Sequence, residues 1–274
     1  MEKLYDLNKK FEYENGFYAT ADPSRFSKFI THLELFKQTS TVRGEIVEFG
    51  IFKGNSFFRW IKFRDLLEQT NSRKVIGFDI FGDFPEANFE LDKDKRDAFV
   101  TETNGGKSIS YEEINELLDR QGLNKNVDII KGDILVTLDD YLSKNPHLKI
   151  SLLHIDVDLY EPTKHVLEQL YDKVTKGGII IFDDYGAFAG TNKAVDDFFK
   201  NKSVTITKVV GFCDSRSSNS YNDSLSKYRA NFVKNVIEKI TNQKGYLVEA
   251  KGENFKQDID LAKQRYKQLL GTSA

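Results

Sequence analysis

"ISLLHIDVDLYEPTKHVLEQLYDKVTKGGIIIFDDYG", residues 150–186, reads as a strand, a helix and a second strand in succession. "ISLLHI" (150–155) and "GIIIF" (178–182) are apolar without alternation, the pattern of strands covered on both faces in a parallel sheet. Apolar residues at helical spacing between them predict a helix over 162–174, the crossover that a parallel pair requires. Outward from this unit the same strand pattern recurs at "EIVEF" (45–49), "KVIGF" (74–78), "VDIIK" (127–131) and "VTITKVV" (204–210). Helices are predicted at 26–38, 55–70, 110–121, 134–143 and 191–200. The one over 110–121 opens with Ser110 and Glu113 in capping-box spacing and closes at Gly122. Strand and helix in repeated alternation predict an α/β fold with a doubly wound, mostly parallel sheet.

Two stretches interrupt the rhythm. Residues 82–109 are polar, charged and loop-like, a length that in a compact domain usually covers a site or lacks order. From 213 onward a polar linker leads to helical patterns near 224–242 and 255–270, with "GYLVEA" as a late strand. The expected organisation is an N-terminal helical or lid segment over 1–40, a catalytic domain over 41–212, and a linker with a helical appendage over 213–274.

Composition narrows the partners. With 42 acidic and 40 basic residues the formal charge is −2, so the electrostatic footprint of a general nucleic-acid binder is missing and a small-molecule partner is expected. Cys213 stands alone, which excludes an intramolecular disulfide and a cysteine-based zinc site. No stretch approaches the roughly 18 apolar residues of a membrane helix, so the expected setting is soluble and cytoplasmic, without a membrane partner.

The candidate chemistry lies where strands end. "VEFGIFKGNSF" (47–57) leaves the first strand for a helix, and Gly50 and Gly54 let the backbone turn sharply beside a ligand. It matches neither G-x-G-x-x-G nor the P-loop, and an ordinary strand-to-helix turn is the plain alternative. Asp79 ends the second strand, where an acid can accept hydrogen bonds from ribose hydroxyls. Asp133 follows the third, within reach of an adenine amino group. Strands four and five end in Asp156 and Asp158 and in Asp183 and Asp184. Singly, each acid could be a helix cap or part of a turn. Converging at one sheet edge, the four would repel one another unless a cation neutralised them, and Mg²⁺ suits an all-oxygen site. The histidines His32, His147, His154 and His165 show no zinc-ligand spacing, and His154 reads as a core residue. Phe57, Phe58, Trp60 and Phe63 read as packing.

The stretches "VEFGIFKGNS", "GFDIFGDFP", "LLHIDVDLYEPTKHVLEQLYDKVTKGGIIIFDDYG" and "GTNKAVDDFF" together resemble the macrocin O-methyltransferase family over roughly residues 42–200. The resemblance implies an S-adenosylmethionine-dependent enzyme that methylates a sugar hydroxyl. It implies that Gly50 and Gly54 line the methionine part of the cofactor, with Glu48 beneath that loop, Asp79 at the ribose and Asp133 by the adenine. Asp156, Asp183 and Asp184 look like the family's magnesium ligands, and Asp158 stands in the place of its general base. The acceptor would be a nucleotide-linked deoxysugar or a glycosylated small molecule, and a homo-oligomer is what the family suggests.

Two other readings use part of the same pattern. A NAD(P)-dependent oxidoreductase would share the glycine loop and Asp79, but Tyr171 in "YDKVTK" lacks the Tyr-x-x-x-Lys spacing such enzymes use. A non-catalytic cofactor-binding module would bind without turnover, and the intact acids argue against it. The chain departs from the family after "AVDDFF", where an edge strand and a short finish are expected and this sequence runs on.

Overall fold

The computed structural model describes residues 3–103, 105–200, 208–212 and 247–251. The chain forms two compact units, residues 1–14 with 32–198 and residues 15–31 with 199–274. The first holds a five-stranded parallel sheet made of β1 (Glu45–Phe49), β2 (Val75–Asp79), β3 (Val127–Lys131), β4 (Ile150–Ile155) and β5 (Val174–Phe182), in the order β3-β2-β1-β4-β5. From β1 the chain winds outward through β2 and β3, then returns to lay β4 and β5 on the other side. The crevice beyond the ends of β1 and β4 is therefore the switch point at which open α/β sheets bind ligands. The unbroken apolar runs are explained by burial: β2 and β4 are buried along their whole lengths, and β1 in all but its first residue. The second unit contains a parallel pair, β6 (Lys208–Phe212) and β7 (Leu247–Lys251). β6 overlaps the predicted sixth strand and β7 the predicted late one, while the helices predicted at 224–242 and 255–270 lie outside the described residues.

The helices follow the sequence closely where they bury an apolar stripe. α3 (Asn55–Leu67) brings Phe57, Trp60 and Ile61 fully into the core, so these aromatics are packing, as expected. α5 (Tyr111–Gln121) is capped as predicted, with the Ser110 hydroxyl accepting from Glu113 N and Gly122 left-handed at φ 67°. α6 covers Ile134–Lys144 and α8 Ala189–Phe199. α7 (Tyr160–Leu170) starts two residues before the predicted position, with Pro162 inside its first turn. A proline is tolerated there because the first N–H groups of a helix have no intrahelical acceptor.

Of the N-terminal helices, α2 (Pro23–Gln38) extends the predicted one, whereas α1 (Lys10–Thr20), inside the expected helical or lid segment, and α4 (Lys93–Glu102) had no predicted positions of their own. Neither α1 nor α4 buries a residue, so neither carries the stripe by which sequence patterns reveal a helix. The stretch 82–109 is therefore partly helical, with a short 3₁₀ turn at Glu90–Asp92 before α4. Among the described residues no helix is long and apolar enough to cross a membrane.

Candidate functional site

The loop from β1 to α3 is pressed against the end of β4. Gly50 N donates to Phe78 O and Asp156 N to Phe49 O, both at 2.9 Å, which draws the two strand ends together. Gly50 has φ 89°, and a Cβ there would lie 1.8 Å from the Asp156 carbonyl oxygen, so only glycine fits. Phe52 adopts φ 49°, and Gly54 precedes α3 at φ 87° with no side-chain cap on the helix. The loop thus leaves helix N–H groups available to a ligand. Gly50→Ala is expected to lower the melting temperature by about 5 °C or more. A left-handed alanine costs about 1–2 kcal/mol before any clash, and about 1 kcal/mol moves a domain of this size by about 2–4 °C. Calorimetric melting checks it, and an unchanged transition would mean that the loop relaxes freely.

Asp79 is 6% exposed, and its carboxylate is engaged by the chain itself. Oδ2 accepts from Ile51 N and Phe52 N at 2.8 Å, and Oδ1 from Phe81 N at 2.6 Å and Ser108 Oγ at 3.2 Å. A carboxylate has about four acceptor sites, so the acid expected at a ribose holds the glycine loop to the segment after β2. Burial pushes its pKa up, against these four bonds. Asp133 caps α6, its side chain accepting from Leu135 N. It is exposed just beyond the end of β3, on the same sheet edge.

Glu48 lies at the end of β1 in register with His154 on β4, and both are fully buried. His154 Nδ1 is 2.9 Å from Glu48 Oε1, and Nε2 lies 3.6 Å from Asp183 Oδ1 and 4.0 Å from Asp156 Oδ2. Burial opposes a charge on this ring, but Asp183, Glu48 and Asp156 outweigh it and push its pKa up to about 10. The surrounding carboxylates thus favour the protonated form of His154 beneath the acids. Glu48 Oε2 remains buried without a partner.

Above this layer the oxygens of Asp156, Asp158 and Asp184 lie within 4.8 Å of one another. Asp158 N donates to Asp184 Oδ2 at 3.1 Å, and Thr191 Oγ1 on α8 donates to Asp158 O at 2.9 Å. These bonds hold Asp158 at φ 60°, a left-handed conformation that aspartate tolerates better than most residues. Burial, followed by the charges of Asp158 and Asp183, raises the Asp184 carboxyl well above the ordinary range. Of the four acids expected to meet, Asp183 stands apart from this trio, turned toward His154.

Two contacts were not read from the sequence. Ligand atoms of His32, His154 and Asp183 also fall within 4.8 Å of one another, although no spacing announced it. Arg59 sits 2.9 Å from His32 Nδ1, a guanidinium that disfavours a second cation there. The Glu48–His154 pair is the other. Its signal was present as two polar residues at the ends of two apolar strands, but only the β1–β4 register makes them neighbours.

Comparison with known proteins agrees with this geometry. The family model of the macrocin O-methyltransferases (TylF) matches residues 23–214. The 8-demethyl-8-(2,3-dimethoxy-alpha-L-rhamnosyl)-tetracenomycin-C 4'-O-methyltransferase of Streptomyces olivaceus is 30% identical over 160 residues, 57% of this chain and 58% of that protein. The match thus spans less than two thirds of that relative. The crystal structure of CalS11, a calicheamicin methyltransferase, is 26% identical with a TM-score of 0.58, covering 69% of this chain and 77% of that one. An apo structure of CalS11, described as a TDP-rhamnose 3'-O-methyltransferase, gives 26% identity and a TM-score of 0.51 over 72% of this chain and 79% of that one. A five-stranded parallel sheet, a glycine loop at its switch point and strand-end acids beside it are thus set on a chain matched by the family model over most of its length, and the chain belongs to the macrocin O-methyltransferase family.

Proposed function

We propose that this chain is an S-adenosylmethionine-dependent O-methyltransferase that methylates a sugar hydroxyl with the assistance of Mg²⁺. The observation that carries the reading is the joining of the Gly50 loop to the acid cluster at the switch point, through Asp156. The acceptor class follows from the relatives: a nucleotide-linked deoxysugar, as in the CalS11 description, or a glycosylated small molecule, as in the tetracenomycin relative.

The residues suit both absent groups. For the cofactor, Gly50 and Gly54 shape the loop, the uncapped start of α3 presents N–H groups, and Glu48 lies beneath. Asp79 acts on the cofactor through the loop it holds, and Asp133 stands toward the adenine side. For the metal, Asp156, Asp158 and Asp184 offer an all-oxygen set, in which burial, and then the charges of Asp158 and Asp183, raise the Asp184 carboxyl. Asp156 and Asp184 would hold Mg²⁺ with Asp158 bordering it, and Asp183, expected as a third ligand, would join them only by turning from His154. When bound, Mg²⁺ would supply a Lewis acid that makes a sugar hydroxyl more acidic.

Asp158 would take the proton of the acceptor hydroxyl, and S-adenosylmethionine, when bound, would supply the methyl group, the new O–C bond replacing the broken C–S bond. Its left-handed backbone, pinned by Asp184 and Thr191, keeps the carboxylate from turning away. The sulfonium charge disappears as the methyl moves, so orientation contributes more than new charge stabilisation. The single cysteine and near-neutral charge are in keeping with a cytoplasmic enzyme acting on small molecules, and the family suggests a homo-oligomer.

Calorimetric titration with S-adenosylmethionine, with NAD as the comparison and Mg²⁺ present throughout, tests the reading. The expected result is a Kd of about 1–100 μM for the sulfonium cofactor, in the usual range for enzyme substrates, and methyl transfer to TDP-rhamnose or another nucleotide-linked deoxysugar. Binding of NAD instead, or of neither, would overturn it.

A further inference from the structure

Asp92 is the one fully buried carboxylate that the mechanism above leaves without a task among the described residues. It stands at the N-cap position of α4, where an aspartate ordinarily folds back onto its own helix. Here the side chain makes no such bond. Instead Oδ1 accepts from Gly190 N at 2.7 Å, 98 residues away in the first turn of α8. Oδ2 is buried without a hydrogen-bond partner. A Cβ at Gly190 would lie 1.8 Å from that oxygen and 2.8 Å from Tyr160 N, the first residue of α7. The carboxylate therefore occupies the place of the missing side chain, between the starts of α7 and α8. Neither α7 nor its N-cap Leu159 supplies a side-chain cap, and the positive ends of the two helix dipoles compensate the buried charge.

The contacts around Asp92 bind the same two regions. The Phe89 ring stacks on Tyr160 at 5.4 Å between centroids. Lys95 Nζ donates to Ala187 O and lies 5.1 Å from the centre of the Phe188 ring. What is held bears directly on the acid cluster. α7 begins two residues after Asp158, and the α8 residue next to Gly190 is Thr191, whose hydroxyl holds the Asp158 carbonyl. Asp184 precedes α8 by a short turn in which Phe188 N and Ala187 N donate back to Asp184 O.

We propose that Asp92 is a positioning residue of the methyl-transfer site, a latch whose buried carboxylate seats the 83–103 segment against the starts of α7 and α8 and so fixes the Asp158–Asp184 pair. The proposal rests on the methyltransferase reading for its functional meaning. It requires that loss of Asp92 loosen the segment and the acid cluster more than the cofactor loop, which Asp79 holds through Ile51 N and Phe52 N and which meets the segment through the Phe52–Phe99 ring contact at 5.5 Å.

Three measurements on the full chain without an acceptor test this: trypsin cleavage after Lys93, Lys95 and Arg96 followed by mass spectrometry, calorimetric titration with Mg²⁺ alone, and titration with S-adenosylmethionine. For Asp92→Ala we expect cleavage at those sites to rise about 10-fold or more and Mg²⁺ affinity to fall about 10-fold, orders of magnitude typical for loss of an outer partner of a metal site. S-adenosylmethionine affinity should stay within about twofold. Gly190→Ala leaves the carboxylate but fills its seat, and it should give the same split. Unchanged cleavage and Mg²⁺ affinity in both variants would overturn the latch, and a parallel loss of cofactor affinity would reduce Asp92 to a general structural role. If the unaltered chain bound neither S-adenosylmethionine nor Mg²⁺, the methyltransferase reading would fail and the positioning role with it, while the trypsin result would still decide the latch.

Discussion

Asp158→Asn is expected to lower kcat about 10²–10⁴-fold, the usual contribution of a positioned general base, with S-adenosylmethionine affinity nearly unchanged. The substitution is well suited to isolating the proton transfer. Asparagine is nearly isosteric with aspartate and is among the residues that tolerate left-handed backbone, so φ 60° at this position carries little new strain. The backbone bonds from Asp158 N to Asp184 and from Thr191 to Asp158 O do not involve the exchanged side chain and should survive. What is lost is the capacity to accept a proton, together with one charge of the acid cluster, so the comparison is made at saturating Mg²⁺. Single-turnover kinetics with saturating acceptor, alongside calorimetric titration of the cofactor, separates the two. Turnover within about threefold of the parent at neutral pH would remove Asp158 from the base role and leave the proton to bulk water or to another acid of the cluster.

Asp184→Asn is expected to abolish stimulation by Mg²⁺ and, in the metal-free chain, to raise the melting temperature at neutral pH by about 2–4 °C, the size associated with about 1 kcal/mol. The two effects have opposite signs because the carboxylate is unfavourable to the fold and useful to the site. Asp184 is 8% exposed, and burial together with Asp158 and Asp183 raises its pKa well above that of the unfolded chain. The folded state therefore binds more protons than the unfolded one between those two values, so stability falls as pH rises through that window. Asparagine has no such dependence. Melting curves from mildly acidic to neutral pH should converge for parent and variant at the acid end and separate toward neutrality. Mg²⁺ should raise the melting temperature of the parent alone. A variant less stable than the parent at neutral pH, or still stimulated by Mg²⁺, would show that Asp184 is not a strained metal ligand.

The cluster illustrates why stability and function compete at such a site. Like charges placed within 4.8 Å without a counter-ion raise the free energy of the folded chain, and His154 offsets only part of it from below. A divalent cation relieves the remainder, which couples metal binding to stability by mass action. Glu48 belongs to the same balance. Its pairing with His154 keeps a buried carboxylate beneath the loop without leaving both of its oxygens unpartnered.

The sequence by itself determined the sheet and the addresses of the acids. Apolar runs at 45–49 and 150–155 coincide with β1 and β4, because a strand buried on both faces excludes polar alternation and so marks its own limits, and the run at 127–131 coincides with β3, a half-buried edge strand. The same logic placed Gly50, Asp156, Asp158, Asp183 and Asp184 at strand ends, and the parallel winding required those ends to share an edge. Elements that bury nothing were invisible to this reasoning, which is why α1 and α4 were missed. What only the tertiary structure decided was which groups face one another: Glu48 with His154 through the β1–β4 register, Asp79 with the backbone of the glycine loop, Asp158 with Asp184 rather than Asp183, and Asp92 with Gly190. Hydrogen bonds depend on distance and direction within a fraction of an ångström. Hydrophobic periodicity specifies the face a residue takes; the partner it meets there depends on how the strands and helices pack.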